Sequence, residues 1–220
     1  MEKTNEIQKT QDVNFKEVNL KIPERTISTI IVEIQGSSPL IVHQFGAKAV
    51  KAMEEYQAGT SKKDRTRYPE QESEDCFHKF PEPFSKLYGF PAMGFKLAMV
   101  RAGKMLKYKM TDLRQVLFVQ PDPRSGELVE IKGEPTLRTD RVNVGNGQLD
   151  IRYRPEFKKW STILNIEFND NVLKADSVLQ LLMAAGQNVG VGDWRPERNG
   201  TFGTWLISKA RILQRVKKEE

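Results

Sequence analysis

The stretch AGQNVGVGDWRPERNGTFGTW, residues 185–205, sets Gly186, Gly190, Gly192, Gly200 and Gly203 around Asp193, Trp194, Arg195 and Arg198. It trails ADSVLQLLMAAG (175–186), whose Val178, Leu179, Leu181, Leu182 and Ala185 recur at helical spacing, with Asp176 as N-cap and Gly186 as the stop. It runs into TWLISKARIL (204–213), which reads as a strand. A loop behind a helix meets the negative end of the helix dipole, so helix-dipole phosphate binding of the Walker or dinucleotide kind is excluded here. An anion held by this loop would be held by backbone N–H groups and by Arg195 and Arg198. Gly190, Gly192 and Gly200 would allow close approach without a Cβ, and Trp194 would add a stacking surface. The same residues also suit a long connection whose tryptophan plugs the core and whose arginines pair with Asp193 and Glu197. Spacing alone leaves both readings open.

Working outward, ISTIIVEIQG (27–36) is a β-branched strand closed by Gly36-Ser37-Ser38-Pro39. GFKLAMVRAGKMLKY (94–108) places Phe95, Ala98, Met99, Ala102, Met105 and Leu106 on one helical face, with Lys96 and Arg101 elsewhere on the wheel. RQVLFVQ (114–120) reads as a short buried strand, and STILNIEFN (161–169) as an alternating one. With 43–90 and 121–160 set aside as insertions, the order is strand, helix, strand, strand, helix, strand. That is an α+β, ferredoxin-like (RRM-like) βαββαβ core in one domain over 27–213. The insertion after the first strand is helical or irregular, and a β-hairpin thumb lies between the second and third core strands. Residues 1–26 read as a flexible arm with one weak apolar patch, and 214–220 as a solvated tail.

The 220 residues are 38% hydrophobic and 29% charged, with a net charge of +6, a balance that favours polyanionic partners. Mean hydropathy is −0.56. No apolar run is long enough to span a bilayer, and Cys76 is the sole cysteine, so the expectation is a cytoplasmic protein without membrane contact or an internal disulfide.

Residues 138–160 read as a hairpin about Gly145-Asn146-Gly147. Its Arg138, Arg141, Arg152 and Arg154 accompany Tyr153, Phe157 and Trp160. Arg152 and Arg154 share one strand face and Tyr153 takes the other. Guanidinium forks beside exposed aromatics suit phosphates and splayed bases of single-stranded RNA or DNA. The alternative is a solvated hairpin neutralised by Asp140, Asp150 and Glu156.

Enzymatic patterns are sparse. Asp122, Glu130 and Lys132 spell a metal-dependent nuclease signature, which is one alternative to a non-catalytic nucleic-acid-binding reading, a protein-assembly module without nucleic acid being the other. His43, Cys76 and His78 lack a fourth zinc ligand, and His43 lacks a visible partner for acid–base work. No cofactor and no bound metal are expected.

Three segments carry a family likeness. Gly190-x-Gly192-x-x-Arg195 … Gly200-x-x-Gly203, GFPAMGFKLAMVRAG with Pro91, Lys96 and Arg101, and IIVEIQGSSPLIVH resemble the repeat-associated mysterious protein (RAMP) superfamily. Within it, the chain is most similar to the guide-RNA-binding backbone subunit of multisubunit CRISPR effector complexes, whose thumb interrupts the chain where 138–160 lies here. The resemblance implies copies of the chain along a single RNA or DNA strand, beside other subunits of a nucleoprotein complex. It also suits a phage or mobile-element relative. Trp194-Arg195-Pro196 and a longer loop depart from the family pattern, and the 45–90 insertion matches none of it.

Overall fold

The computed structural model describes residues 27–44, 50, 53–55, 57–59, 68–143 and 149–213. The arm, the tail, the hairpin tip about Gly145-Asn146-Gly147 and most of 45–67 lie outside the described residues.

Strand β1 (Ile27–Gly36) buries Ile30, Val32 and Ile34 completely, while the residues between them stay partly exposed. That period of two is what a strand with one covered face requires. It pairs antiparallel on one side with β9 (Ser161–Asn169), whose Leu164, Ile166 and Phe168 are buried by the same alternation. On its other side lies β10 (Trp205–Leu213), also antiparallel, with a register shift at Glu33/Ile34. Strand β5 (Leu117–Gln120) closes the far edge against β9, giving the order β10-β1-β9-β5.

Two helices cover one face. Helix α2 (Ala92–Gly103) contributes Phe95, Ala98, Met99 and Ala102, and α4 (Ala175–Asn188) contributes Val178, Leu181, Leu182 and Ala185. Phe95 meets Trp205 edge-on at 5.5 Å between ring centres, so of the two tryptophans in 185–205 it is Trp205, not Trp194, that enters the core.

Two smaller antiparallel sheets flank this layer. One has β2 (Leu40–Ile41), β8 (Leu149–Phe157) and β7 (Pro135–Asn143) in the order β2-β8-β7; the other has β3 (His78–Lys79), β4 (Tyr88–Pro91) and β6 (Leu128–Glu130) in the order β3-β4-β6. The chain is thus an α+β protein with several antiparallel sheets. Short helices α1 (Pro69–Glu74) and α3 (Met110–Val116) complete the described elements. None of the described helices is long and apolar enough to cross a membrane.

Several local expectations are corrected. Helix α2 stops at Gly103, leaving Met105 and Leu106 exposed beyond it. Residues 114–116 are the end of α3, so the strand starts only at Leu117. Lys174, not Asp176, is the N-cap of α4. Gly186 lies inside that helix, where a Cβ would sit 2.4 Å from the Trp205 carbonyl oxygen. Close packing of helix on strand, rather than termination, demands that glycine.

Candidate nucleic-acid interface

The glycine-rich loop leaves α4 and is laced to residues 38–41 rather than spread open. The Asp193 N–H donates to the Ile41 carbonyl at 3.0 Å, the Gly203 N–H to the Pro39 carbonyl at 2.7 Å, and the Val191 N–H to the Gly203 carbonyl at 3.0 Å. A 3₁₀ turn, Pro196–Arg198, sits at its outer end.

The glycines serve these approaches. At Gly192, with φ +75°, a Cβ would lie 2.4 Å from the Ile41 oxygen; at Gly200 it would lie 1.7 Å from the Trp194 oxygen. Gly190 is buried under Pro196 and Arg195. The expectation that the missing side chains of Gly190, Gly192 and Gly200 themselves make room for a ligand is therefore corrected: the space a Cβ would take is filled by backbone oxygens at Gly192 and Gly200 and by Pro196 and Arg195 at Gly190.

The hairpin of β7 and β8 docks on this loop through Arg154. Its side chain is 2% exposed, and it donates from Nη1 to Asp193 Oδ2 at 2.6 Å and from Nη2 to Asp140 Oδ2 at 2.7 Å. Arg138 donates to Asp140 Oδ1 at 2.9 Å and to Glu156 Oε1 at 2.8 Å. His43 Nδ1 lies 3.3 Å from Asp193 Oδ2, so His43 does have a partner. Burial pushes the Asp193 carboxyl up, but the hydrogen bonds from His43 and Arg154 and their charges outweigh it and hold the group below its ordinary value. Two guanidiniums here face three carboxylates.

Consequently Arg138 and Arg154 are corrected as strand-binding candidates. They neutralise the protein's own acids Asp140, Glu156 and Asp193, Arg154 buried and Arg138 partly so, and guanidiniums so paired are not free for a phosphate. Phe157 and Trp160 are likewise core residues, Trp160 donating its indole N–H to the Ser38 carbonyl at 2.9 Å.

What stays available has a definite sidedness. The register pairs Arg138 with Arg154 and Asp140 with Arg152, so these share one hairpin face, while Arg141 pairs with Ile151 and lies with Tyr153 on the other. Arg152, half-exposed, lies on the loop-facing side; Arg141 is exposed on the opposite side. Arg198 is exposed on the 3₁₀ turn. The side chains of Arg141, Arg152 and Arg198 make no hydrogen bond or ion pair among the described residues.

Trp194 is 37% exposed and holds φ +51°, a conformation few side chains adopt. Its ring lies 4.8 Å from the Arg154 guanidinium carbon and 5.6 Å from that of Arg138, which also sits 4.8 Å above Phe202.

Helix α2 reaches the loop through Arg101, whose Nη1 donates to Glu197 Oε2. Arg195 donates to that same oxygen from Nε at 3.0 Å and to the Gly192 carbonyl at 3.0 Å. A cavity of about 170 Å³ lies alongside, lined by Phe90, Leu97, Arg101, Gly190, Gly192 and Arg195. Lys96 points elsewhere, its ammonium 4.2 Å from the Phe118 ring centre on β5, with burial lowering its pKa.

The sheet face away from the helices is mixed in charge: Glu33 and Glu167 lie on it with Lys209, which sits 3.8 Å from Glu33, and the exposed Arg211, and Phe118 is its one aromatic among the described strands. Asp122 and Glu130 do come together, across a cavity of about 230 Å³ that Lys132 also lines. Arg124 stands between them, donating from Nη2 to both carboxylates at 2.6 Å. Among the described residues no three His, Cys, Asp or Glu side chains gather as a metal would need.

No family model matches the chain. No curated protein matches it either. Among solved structures, 44 chains are similar. One is a chain of the Type III-B Cmr-beta complex bound to cognate target RNA, seen by cryo-EM, with 8% identity and a TM-score of 0.48; the match covers 86% of this chain and 61% of that one. The present chain thus corresponds to less than two thirds of that chain's length.

Proposed function

We propose that this chain is a non-catalytic, single-stranded nucleic-acid-binding protein of the RAMP type with a ferredoxin-like core, working in copies along an RNA or DNA strand in a CRISPR-like or phage complex in the cytoplasm. The antiparallel order β10-β1-β9-β5, with α2 and α4 as crossovers on one face, supports the ferredoxin-like reading.

One observation carries the proposal. The three segments with RAMP likeness, far apart in the chain, converge: residues 39–41 accept from Asp193 and Gly203, and Arg101 of α2 meets the loop at Glu197. Around that junction Arg152, Arg198 and the exposed edge of Trp194 supply unpaired guanidiniums and an aromatic surface. That pairing suits a phosphate chain with unstacked bases, base–aromatic stacking being worth roughly 1–3 kcal/mol per base. Arg141, on the other hairpin face, reaches a different part of the strand or a neighbouring copy.

Material purified at low salt is expected to carry nucleic acid, with a raised 260/280 nm absorbance ratio that falls after nuclease and high-salt washing. A ratio characteristic of protein alone, with no binding of labelled U30 RNA or dT30 DNA, would refute the proposal. The Asp122–Glu130 site gives the competing nuclease reading, which requires Mg²⁺- or Mn²⁺-dependent cleavage lost in Glu130→Ala.

A further inference from the structure

Two guanidiniums from different elements spend their charge on one oxygen. Arg101 comes from the helix α2 and Arg195 from the glycine-rich loop, yet both donate to Glu197 Oε2, which belongs to the 3₁₀ turn between them. The Glu197 side chain is 27% exposed and those of Arg101 and Arg195 are 36% and 22% exposed, so the cluster lies at the surface with water beside it. The adjoining cavity of about 170 Å³ is walled by the two arginines and by the backbone of Gly190 and Gly192.

A carboxylate with two converging arginine forks has the charge and donor geometry of a phosphate diester held by the same forks. The Glu197 backbone N–H donates to the Val189 carbonyl at 3.3 Å, but no hydrogen bond to its carboxylate comes from a backbone group or from any side chain but these two among the described residues. Its turn ends at Asn199, in the left-handed conformation with φ +61°, beside Gly200.

We propose that Glu197 is an internal competitor that occupies a two-arginine phosphate site and swings to solvent when a strand arrives. This rests on the nucleic-acid reading above and adds its regulation. The exchange breaks two partly exposed ion pairs, each of small worth in water, and forms two of the same kind, so the site binds weakly and reversibly until neighbouring contacts hold the strand. Such a site lets a strand slide rather than lock.

The test uses Glu197→Gln in the full chain, which keeps the side chain's size and removes its charge, with Arg101→Ala/Glu197→Gln as control. Binding is read twice: fluorescence anisotropy with labelled U30 RNA and dT30 DNA, and amide chemical shifts of Gly190 and Gly192 on titration with inorganic pyrophosphate. Circular dichroism confirms that each variant is folded. The expected result is that Glu197→Gln tightens strand binding roughly threefold to tenfold, the scale of two exposed ion pairs. It should also bring pyrophosphate shifts that the parent shows weakly, and both gains should vanish in the control. Unchanged or weaker strand binding in Glu197→Gln, with the parent still binding, would overturn the proposal and make Glu197 a residue that positions the arginines. If neither protein binds a strand, the nucleic-acid reading falls, and pyrophosphate decides the competitor: a gain in Glu197→Gln sustains it and no gain overturns it.

Discussion

Arg154 on the hairpin and Asp193 on the glycine-rich loop share a 2.6 Å charge-assisted hydrogen bond although 39 residues separate them. With Asp140 as second acceptor, the bond makes the hairpin base and the loop one unit, and Nε of Arg154 is buried without a partner. The hairpin base and the loop are therefore joined by a guanidinium that is itself sealed from solvent.

Arg154→Met should destabilise the fold by about 3–5 kcal/mol, because Asp140 and Asp193 lose the cation buried between them. Chemical denaturation measures it. Near-native stability with lost strand binding would instead make Arg154 a contact residue.

Acid should weaken the fold through two carboxyls. The hydrogen bond from Arg124 is the main cause holding Asp122 low, and the bonds from His43 and Arg154 overcome burial at Asp193. Both folded pKa values lie below the ordinary 3.8, so their stabilisation is complete above 3.8 and is lost as pH falls from there through the lower folded values. Asp193→Asn should start from lower stability at neutral pH and show a shallower acid limb. An unchanged limb would contradict the assignment.

Gly203, at φ +67°, has the Val191 carbonyl oxygen 1.8 Å from where a Cβ would stand, whereas Gly126, at φ +76°, has nothing within 4 Å. Gly126→Ala should cost only the left-handed strain, about 1 kcal/mol. Gly203→Ala adds a backbone clash and should cost roughly 2–5 kcal/mol. Equal costs would show that the loop tolerates opening.

The Cys76 thiol is buried, donates weakly to the Tyr153 carbonyl at 3.7 Å, and is pushed up to about 11 by that burial. Iodoacetamide at pH 8 should leave native protein unmodified and label it promptly in denaturant, as mass spectrometry would show. Prompt labelling of the native chain would mean that the base of the hairpin opens.

The alternations in β1 and β9 were legible because each strand has one covered face, and the period of α4 because Val178, Leu181, Leu182 and Ala185 meet a single sheet. Gly186 was misread since its need comes from Trp205, a partner supplied by another element. The site was legible by segment and not by residue. Alternation puts Arg152 and Arg154 on one face, but only the docking of residues 190–203 decides that Arg154 is sealed while Arg152 reaches water. Likewise Arg195 and Arg198 look alike in sequence, and Glu197 takes one of them.

Salt titration of strand affinity tests the central claim most directly, comparing the parent with Arg152→Ala/Arg198→Ala. Each lost phosphate contact should flatten the slope of log affinity against log salt by about 0.7 for a single strand, so the double variant should bind more weakly with a slope shallower by about 1.4. A folded double variant with the parent's affinity and slope would contradict the placement of the strand on this loop and hairpin.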